Sequence, residues 1–188
     1  MPDKAPPGYR VEALERRHER DRFACGAEAL DRYLHQQARQ DADKRVAAPF
    51  VLVQPPSSRV LGYYTLSASV IRADDLPEQL SRKLPRYPQL PVTLLGRLAI
   101  DTTLKGQRMG QFLLMDALWR SLGAAAQIAA MAVVVDAKDK AAEAFYAHFG
   151  FTPLQQRPAR LFLPMKTVAG LFPSSAKTAG IDCDENVP

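Results

Sequence analysis

The chain has 188 residues, of which 47% are hydrophobic and 24% charged, and its net charge of +5 comes from 25 Lys and Arg against 20 Asp and Glu. This length suits one domain with a sizeable core, and the distant Cys25 and Cys183 have no metal-ligand spacing, which excludes a disulfide scaffold and a zinc module. No apolar run reaches the roughly 18 residues of a membrane helix and the N-terminus has no apolar signal core, so we expect a cytoplasmic protein without a membrane span.

The first half of the chain predicts a strand, a helix and a hairpin. Apolar and polar residues alternate over 9–14, and apolar residues recur at helical spacing over about 27–44. A short strand over 50–53, turn residues at 55–58 and a β-rich run over 59–71 predict the hairpin. Four prolines between 77 and 91 limit any helix to 78–84 and leave a loop.

The second half alternates strands and helices. Residues 92–100 are nearly continuously apolar, which is typical of a central strand covered on both faces. A helix over 111–122, a buried strand over 128–135, a helix over 141–149 and a last strand over 161–165 follow. This order predicts an α/β fold with a mixed central sheet flanked by helices, in which the hairpin is antiparallel and helix-linked strands are parallel. We expect a flexible N-terminus over 1–8, one domain over 9–166 and a loosely ordered tail over 167–188.

The positive charge is concentrated before residue 110. Between Arg82 and Arg108 the only acid is Asp101, against six cations. Such a stretch attracts phosphates if it folds onto one face, whereas dispersed cations form an ordinary solvated surface. The candidate RNA-binding cations are Arg72, Arg82, Lys83, Arg86 and Arg97.

The junction after the central strand is a candidate phosphate site. Residues 101–110, with the sequence DTTLKGQRMG, lead from that strand into an apolar helix. Unpaired N–H groups at a helix N-terminus hold anions, and Lys105 and Arg108 add positive charge. Gly106 and Gly110 also suit a plain strand-to-helix turn, so the loop alone leaves both interpretations open.

A second helix completes a family pattern. It carries Phe145-Tyr146 and ends in Phe149-Gly150-Phe151, and together with the loop at 101–110 it resembles the GNAT superfamily of acetyl-CoA-dependent N-acetyltransferases over 9–165. Seven blocks in order resemble, more narrowly, the GNAT toxins of type II toxin–antitoxin systems. The blocks lie at 23–26, 30–34, 40–41, 62–66, 84–88, 95–101 and 161–166.

The resemblance implies a function and a set of site residues. Such toxins acetylate the α-amine of aminoacyl-tRNA, take the acetyl group from acetyl-CoA without a metal, commonly form homodimers and are neutralised by a ribbon-helix-helix antitoxin. Tyr146 matches the general acid that protonates the departing thiolate. The backbone of 98–100 would pair with the pantetheine arm and the loop 105–110 would hold the pyrophosphate. The implied cofactor-binding residues are Leu98, Ala99, Ile100, Lys105, Gly106, Gln107, Arg108, Met109 and Gly110.

Arg108 departs from the family pattern. That pattern is Gln or Arg, two residues, Gly, one residue, then Gly or Ala, and Lys105, Arg108 and Gly110 stand at its three defined positions. Glycine lets phosphate approach the backbone closely, so Arg108 either obstructs that approach or turns outward and contributes its guanidinium. We expect the second, because two cations beside a diphosphate favour binding.

An α-amine suits this sequence as the acceptor. Its pKa of about 7.7–8.0, against about 10.4 for lysine, leaves part of it unprotonated at neutral pH without a strong base. Asp136 and Glu143 remain candidate bases, and a backbone N–H near Ala99 or Ile100 would polarise the carbonyl. Two alternatives stay open: a GNAT enzyme that acetylates a protein or small-molecule amine, and a non-catalytic basic RNA- or partner-binding module on a degenerate GNAT fold.

Overall fold

The computed structural model describes residues 6–82 and 87–172, which form a seven-stranded mixed sheet flanked by helices. The predicted α/β fold class is therefore confirmed. The strands are β1 (Arg10–Ala13), β2 (Ala48–Val53), β3 (Gly62–Arg72), β4 (Gln89–Ile100), β5 (Ala132–Asp136), β6 (Thr152–Pro153) and β7 (Arg160–Pro164). They lie in the order β1-β2-β3-β4-β5-β7-β6, and β4 and β5 are the parallel pair.

Six α-helices occur in the described part of the chain. They are α1 (Glu28–Arg32), α2 (Ala38–Asp43), α3 (Glu78–Ser81), α4 (Met109–Ala125), α5 (Lys140–His148) and α6 (Met165–Gly170). A π-helical turn, Tyr33–Gln37, joins α1 to α2 without a break, so the helix predicted over 27–44 is present with an unpredicted distortion at its centre. None of the described helices is long and apolar enough to cross a bilayer.

The two faces of the sheet bury separate apolar clusters, because successive side chains along a strand point to opposite faces. On one face, Tyr33 and Leu34 pack with Tyr63. On the other, α4, α5 and α6 cover a larger cluster that includes Tyr64 and Tyr146. The α1–α2 segment and the α4–α5 pair therefore approach the sheet from opposite sides.

The predicted C-terminal boundary at residue 166 is wrong. Residues 165–170 form α6, in which Val168 is fully buried, and Phe172 beyond it is 5% exposed. The sequence of this segment has few core residues, but the few it has are inserted into the main cluster. Residues 1–5, 83–86 and 173–188 lie outside the described part, so the predicted mobility of the two termini remains a prediction there.

Two predictions about the later strands are also wrong. The strand predicted from 128 begins at Ala132, and Ile128 is 80% exposed. The last strand, β7, is antiparallel to β5 rather than parallel. The short β6 follows α5 and forms an antiparallel hairpin with β7. In the sheet, β7 lies between β6 and β5.

A bulge in β4 opens the sheet. Thr65 pairs with Arg97 and Leu66 with Leu95, so Gly96 is an extra residue on β4. A Cβ at Gly96 would lie 3.1 Å from the Thr65 hydroxyl oxygen, which is tight enough to favour glycine. The ladder to β5 covers only residues 93–95 of β4, and the last five residues of β4 have no partner on that side. This gap between β4 and β5 is where the candidate site lies.

Candidate active site

A cavity of about 300 Å³ fills the gap between β4 and β5. We name it the sheet cleft, and both faces of the sheet contribute to its wall. Cys25, Ala27 and Leu30 line it from the α1 side, and Ala142 and Tyr146 line it from α5. The remaining lining residues are Gly96, Arg97, Leu98, Ala99, Ile100, Lys105, Asp136 and Lys138.

A second cavity, of about 460 Å³, adjoins the first, and we name it the loop cleft. Ile100 and Lys105 line both cavities. Gly106, Arg108, Met109 and Gly110 line the loop cleft at the N-terminus of α4, together with Leu104, Gln111, Phe145, His148 and Phe149. The structure thus connects the predicted phosphate loop to the predicted catalytic tyrosine through one continuous surface. Gln107 lines neither cavity, and its amide donates to the Thr103 carbonyl at 3.2 Å.

The end of β4 presents free backbone groups to the sheet cleft. The Asp101 amide donates to the Leu61 carbonyl at 2.9 Å, and Gly62 faces Ile100, so that facing pair is a non-hydrogen-bonded one. The N–H and C=O of Ile100, and by alternation those of Leu98, therefore point away from β3 into the cleft. The Ala99 backbone points toward β3, so of the two predicted carbonyl-polarising positions the ladder leaves only Ile100 available.

Tyr146 lies deep in the same cleft. Asp139 caps α5 by accepting the Ala142 amide at 2.8 Å, and this fixes the helix that carries the tyrosine. The ring packs against Phe145 and Phe151 with centroids 5.2 and 5.5 Å away, and the residue is 8% exposed. Burial alone raises the pKa of Tyr146 to about 12, so its hydroxyl is protonated throughout the physiological range.

The phosphate loop has the backbone of a glycine-rich turn although one glycine is replaced. Gly106 has φ of +79° and Arg108 has φ of +58°, both in the left-handed region. Arg108 is the N-cap of α4 and its side chain is exposed. The arginine thus adopts the left-handed conformation that glycine favours, and its side chain is exposed. The contribution of its guanidinium to phosphate binding stays a prediction.

Replacing Arg108 by glycine separates the conformational role from the charge. Glycine removes the strain of a side chain on a left-handed backbone, which stabilises the folded state by about 1–2 kcal/mol. Glycine also gives the unfolded chain more conformational entropy, which offsets about 0.4–1 kcal/mol of that gain. We expect Arg108→Gly to raise the free energy of unfolding slightly and to weaken acetyl-CoA binding several-fold, as measured by chemical denaturation and calorimetry. Arg45 is the matched control, since its φ is +56° and it lines neither cleft. Tighter binding by Arg108→Gly would instead show that the side chain obstructs the phosphate.

The structure does not bring the predicted RNA-binding cations together. Arg97 lines the sheet cleft, whereas Arg72 lies at the far end of β3, seven residues beyond the partner of Arg97, about 23 Å along the strand. Arg72 pairs with Asp74 at 3.4 Å, and Arg82 pairs with Glu78 at 2.5 Å. Lys83 and Arg86 lie outside the described residues.

Neither candidate base is placed to accept a proton. Asp136 lines the sheet cleft, but Arg160 binds both its oxygens at 2.7 and 2.8 Å. This hydrogen-bonded ion pair lowers the pKa of Asp136 below its usual value despite partial burial. Glu143 accepts a bond from Lys140 at 2.6 Å and does not line either cleft. The sheet cleft therefore has a proton donor but no free carboxylate base among the residues described.

Asp101, which was not predicted as a site residue, holds together the segments that surround the clefts. It is 1% exposed and accepts bonds from the Ala24 amide at 3.2 Å, the Thr103 amide at 3.0 Å and the Thr103 hydroxyl at 2.7 Å. Arg59 lies 3.5 Å away. Asp101 thus joins the end of β4, the start of the phosphate loop and the segment before α1. In the sequence, its position directly after an apolar strand is the feature that could have identified it.

The comparisons with known proteins agree with this geometry. No family model matches the chain. The chain is 35% identical over 150 residues to a tRNA-acetylating toxin of Mycobacterium tuberculosis, which covers 80% of this chain and 88% of that protein. A tyrosine-to-phenylalanine mutant of KacT is 31% identical and superposes with a TM-score of 0.83 over 88% of this chain and 99% of its own. AtaT complexed with acetyl-methionyl-tRNAfMet is 32% identical, with a TM-score of 0.82 over 87% and 99%.

These likenesses extend over 80% or more of the chain. The chain belongs to the GNAT toxins of type II toxin–antitoxin systems.

Proposed function

We propose that this chain transfers the acetyl group of acetyl-CoA to the α-amine of an aminoacyl-tRNA and thereby blocks translation. The observation that carries the proposal is that Tyr146 lines the sheet cleft together with Ile100, whose backbone N–H points away from β3. A relative is named as a tRNA-acetylating toxin, AtaT has been solved with acetyl-methionyl-tRNAfMet, and its complex with AtaR has been solved with acetyl-CoA.

The two clefts fit the two ends of acetyl-CoA. The pantetheine arm carries amides, and the outward N–H and C=O groups of Leu98 and the outward C=O of Ile100 offer it a strand edge. The loop 105–110 offers N–H groups at the N-terminus of a 17-residue helix, with the Lys105 and Arg108 cations beside them, for the pyrophosphate. When bound, the cosubstrate supplies the activated acetyl thioester.

The residues of the sheet cleft then perform three tasks. The Ile100 N–H donates to the thioester carbonyl oxygen, which gains negative charge as the amine attacks carbon. Tyr146 donates its proton to the sulfur as the carbon–sulfur bond breaks, so the leaving group departs as a neutral thiol. The amine attacks in its neutral form and afterwards loses its extra proton to water. No dedicated base is required, because an α-amine is already partly unprotonated near neutral pH.

This division of tasks predicts the pH profile. The rising limb of kcat/KM should follow the deprotonation of the acceptor amine, at or below about pH 8. The acid is active when protonated and its pKa is raised to about 12, so no falling limb should appear up to pH 10. The profile should be measured with an aminoacyl-nucleoside analogue joined by an amide, which resists alkaline hydrolysis. A falling limb near pH 8 to 9 would assign the proton to another group.

The decisive experiment incubates the protein with acetyl-CoA and either charged or uncharged tRNA. We expect mass spectrometry to find N-acetylated aminoacyl-tRNA with the first and no product with the second. A protein lysine substrate and a small polyamine serve as parallel acceptors, and transfer to one of them alone would overturn the tRNA proposal. Failure to bind acetyl-CoA at millimolar concentration would overturn the enzymatic role altogether.

An antitoxin is the protein partner that this proposal requires. AtaT has been solved bound to the C-terminus of the antitoxin AtaR with acetyl-CoA, and the AtaT–AtaR complex has been solved bound to DNA. We infer that this chain likewise binds an antitoxin, of the ribbon-helix-helix type, and acts in the cytoplasm, where charged tRNA is used. Expression of the chain alone should arrest growth, and coexpression with its antitoxin should restore it.

A further inference from the structure

Arg97 has an unusual environment for a half-buried cation. The bulge at Gly96 precedes it, and its guanidinium carbon lies 3.6 Å from the centroid of the Tyr33 ring, at cation–π distance. Within residues 6–82 and 87–172, no carboxylate lies within ion-pair distance of Arg97. The side chain lines the sheet cleft, so the guanidinium N–H groups that the ring does not cover are available to a ligand there.

The stacking surface is itself held in place. Tyr33 is 4% exposed, and its hydroxyl donates to Asp41 at 3.0 Å, a carboxylate that Gln37 also approaches at 3.4 Å. The Tyr33 and Tyr63 rings stack at 6.1 Å, and the Tyr63 hydroxyl donates to the Leu30 carbonyl at 2.9 Å. The π-helical turn begins at Tyr33. The ring on which the Arg97 guanidinium lies is therefore held in place by contacts within the chain.

The charges around the sheet cleft favour the binding of an anion. Arg97, Lys105 and Lys138 line it, and Asp136, the only acid among its lining residues in 6–82 and 87–172, is bound at both oxygens by Arg160. The loop cleft offers the phosphates of acetyl-CoA a site at the Lys105 end. Arg97 lies instead on the α1 face of the sheet, since it shares the alternation of Tyr63 and Ala99. The anion at Arg97 therefore belongs to the acceptor.

We propose that Arg97, stacked on Tyr33, binds the phosphodiester between the last two nucleotides of the acceptor tRNA and so positions the aminoacyl end beside Tyr146. This inference rests on the proposed function. In an aminoacyl-tRNA this phosphodiester is the anion nearest to the α-amine. The planar guanidinium group matches two phosphate oxygens with parallel N–H donors.

The test compares two small acceptors that differ by one phosphodiester. The first is a 3′-aminoacylamino-3′-deoxyadenosine that carries the amino acid of the best charged tRNA, and the second is the same compound extended by a 5′-linked cytidylate. A charge-assisted bond is worth about 1.5–3 kcal/mol, so we expect kcat/KM to be about 10- to 100-fold higher for the dinucleotide with the wild-type protein. In Arg97→Ala this ratio should fall to about threefold or less.

Matched variants test whether a change in this kcat/KM ratio is specific to the Arg97 guanidinium. Arg97→Lys retains the charge but not the planar pair of donors, and should give an intermediate ratio. Tyr33→Phe keeps the stacking ring and should retain the ratio, whereas Tyr33→Leu should lower it. Arg16→Ala, an exposed cation outside the lining of the sheet cleft, should retain the wild-type ratio.

Failure of the phosphodiester site can be distinguished from failure of the proposed function. If charged tRNA is acetylated but the wild-type ratio is near one, the phosphodiester site is wrong and the acetyltransferase proposal stands. A wild-type ratio that persists in folded Arg97→Ala also overturns the site. If Arg97→Ala does not fold, as judged by circular dichroism, the ratio of Arg97→Lys decides, and an unchanged ratio rejects the site. If charged tRNA is not acetylated, the proposed function and the site both fail.

Discussion

Tyr146→Phe is expected to lower kcat for acetyl transfer by about 100-fold or more, the range for loss of a general acid. The fold should be unaffected, because the ring keeps its contacts with Phe145 and Phe151. The Tyr146 hydroxyl makes no hydrogen bond within residues 6–82 and 87–172, so its removal breaks no stabilising bond there. Steady-state kinetics should show that kcat falls much more than KM for acetyl-CoA changes.

Tyr87→Phe is the matched control, since Tyr87 is 64% exposed and lines neither cleft. It should behave as the wild type in kinetics, thermal unfolding and growth arrest. Growth arrest by Tyr146→Phe equal to that of the wild type, at equal expression, would show that Tyr146 is not the acid. A Tyr146→Phe protein that arrests growth without detectable acetylation would favour the non-catalytic binding module.

Asp101→Ala is expected to lower the free energy of unfolding by about 3–5 kcal/mol. The substitution removes the acceptor for Ala24 and Thr103 and leaves Arg59 without its carboxylate. For a chain of this length each kcal/mol corresponds to about 2–4 °C, so the melting temperature should fall by about 10 °C. Acetyl-CoA binding should weaken as well, because Asp101 fixes the start of the phosphate loop.

The pH dependence of the free energy of unfolding separates the contribution of the Asp101 charge from the contribution of its size and shape. Burial raises the pKa of Asp101, but the bonds from Thr103 and Ala24 and the Arg59 charge outweigh it, so the net pKa is below the usual value. A lowered folded-state pKa contributes stability above the unfolded pKa of about 3.9 that is lost as pH falls. The gap between the wild type and Asp101→Ala should therefore narrow below pH 4. Asp74→Ala, at an exposed ion pair, should change stability by less than about 1 kcal/mol, and an equal loss would reject this account.

Periodicity predicted the elements that are amphipathic or wholly buried. The apolar run at 92–100 lies within β4, and the helical spacing over 27–44 gives the α1–α2 segment. The two-residue β6 is too short to leave a period, and its absence from the prediction led to the wrong direction for β7. Val168 and Phe172 were missed because two isolated apolar residues do not mark a buried segment unless their packing partners are known.

The candidate site was predictable where a motif carries it and not where distant segments meet. Tyr146 and the loop at 105–110 were predicted from their resemblance to a family's motifs, and the structure places them around adjoining clefts. Arg97 was grouped with Arg72 because both lie in or near the basic stretch of the chain. In the structure, Arg72 lies at the C-terminal end of β3 and Arg97 lies near the C-terminal end of the antiparallel β4. The two charges therefore lie toward opposite ends of this strand pair. The stacking of Arg97 on Tyr33 joins residues 64 positions apart, which no local spacing reveals.

The gap beside the bulge at Gly96 has a kinetic consequence. Because residues from both faces of the sheet line it, we expect donor and acceptor to enter from opposite sides and to occupy the site at the same time. The Cys25 thiol lines the gap, but burial raises its pKa, so it remains a thiol at neutral pH rather than a thiolate that could carry the acetyl group. Initial-rate plots at several fixed acceptor concentrations should therefore intersect, as for a ternary-complex mechanism, and no acetylated enzyme should accumulate when tRNA is withheld.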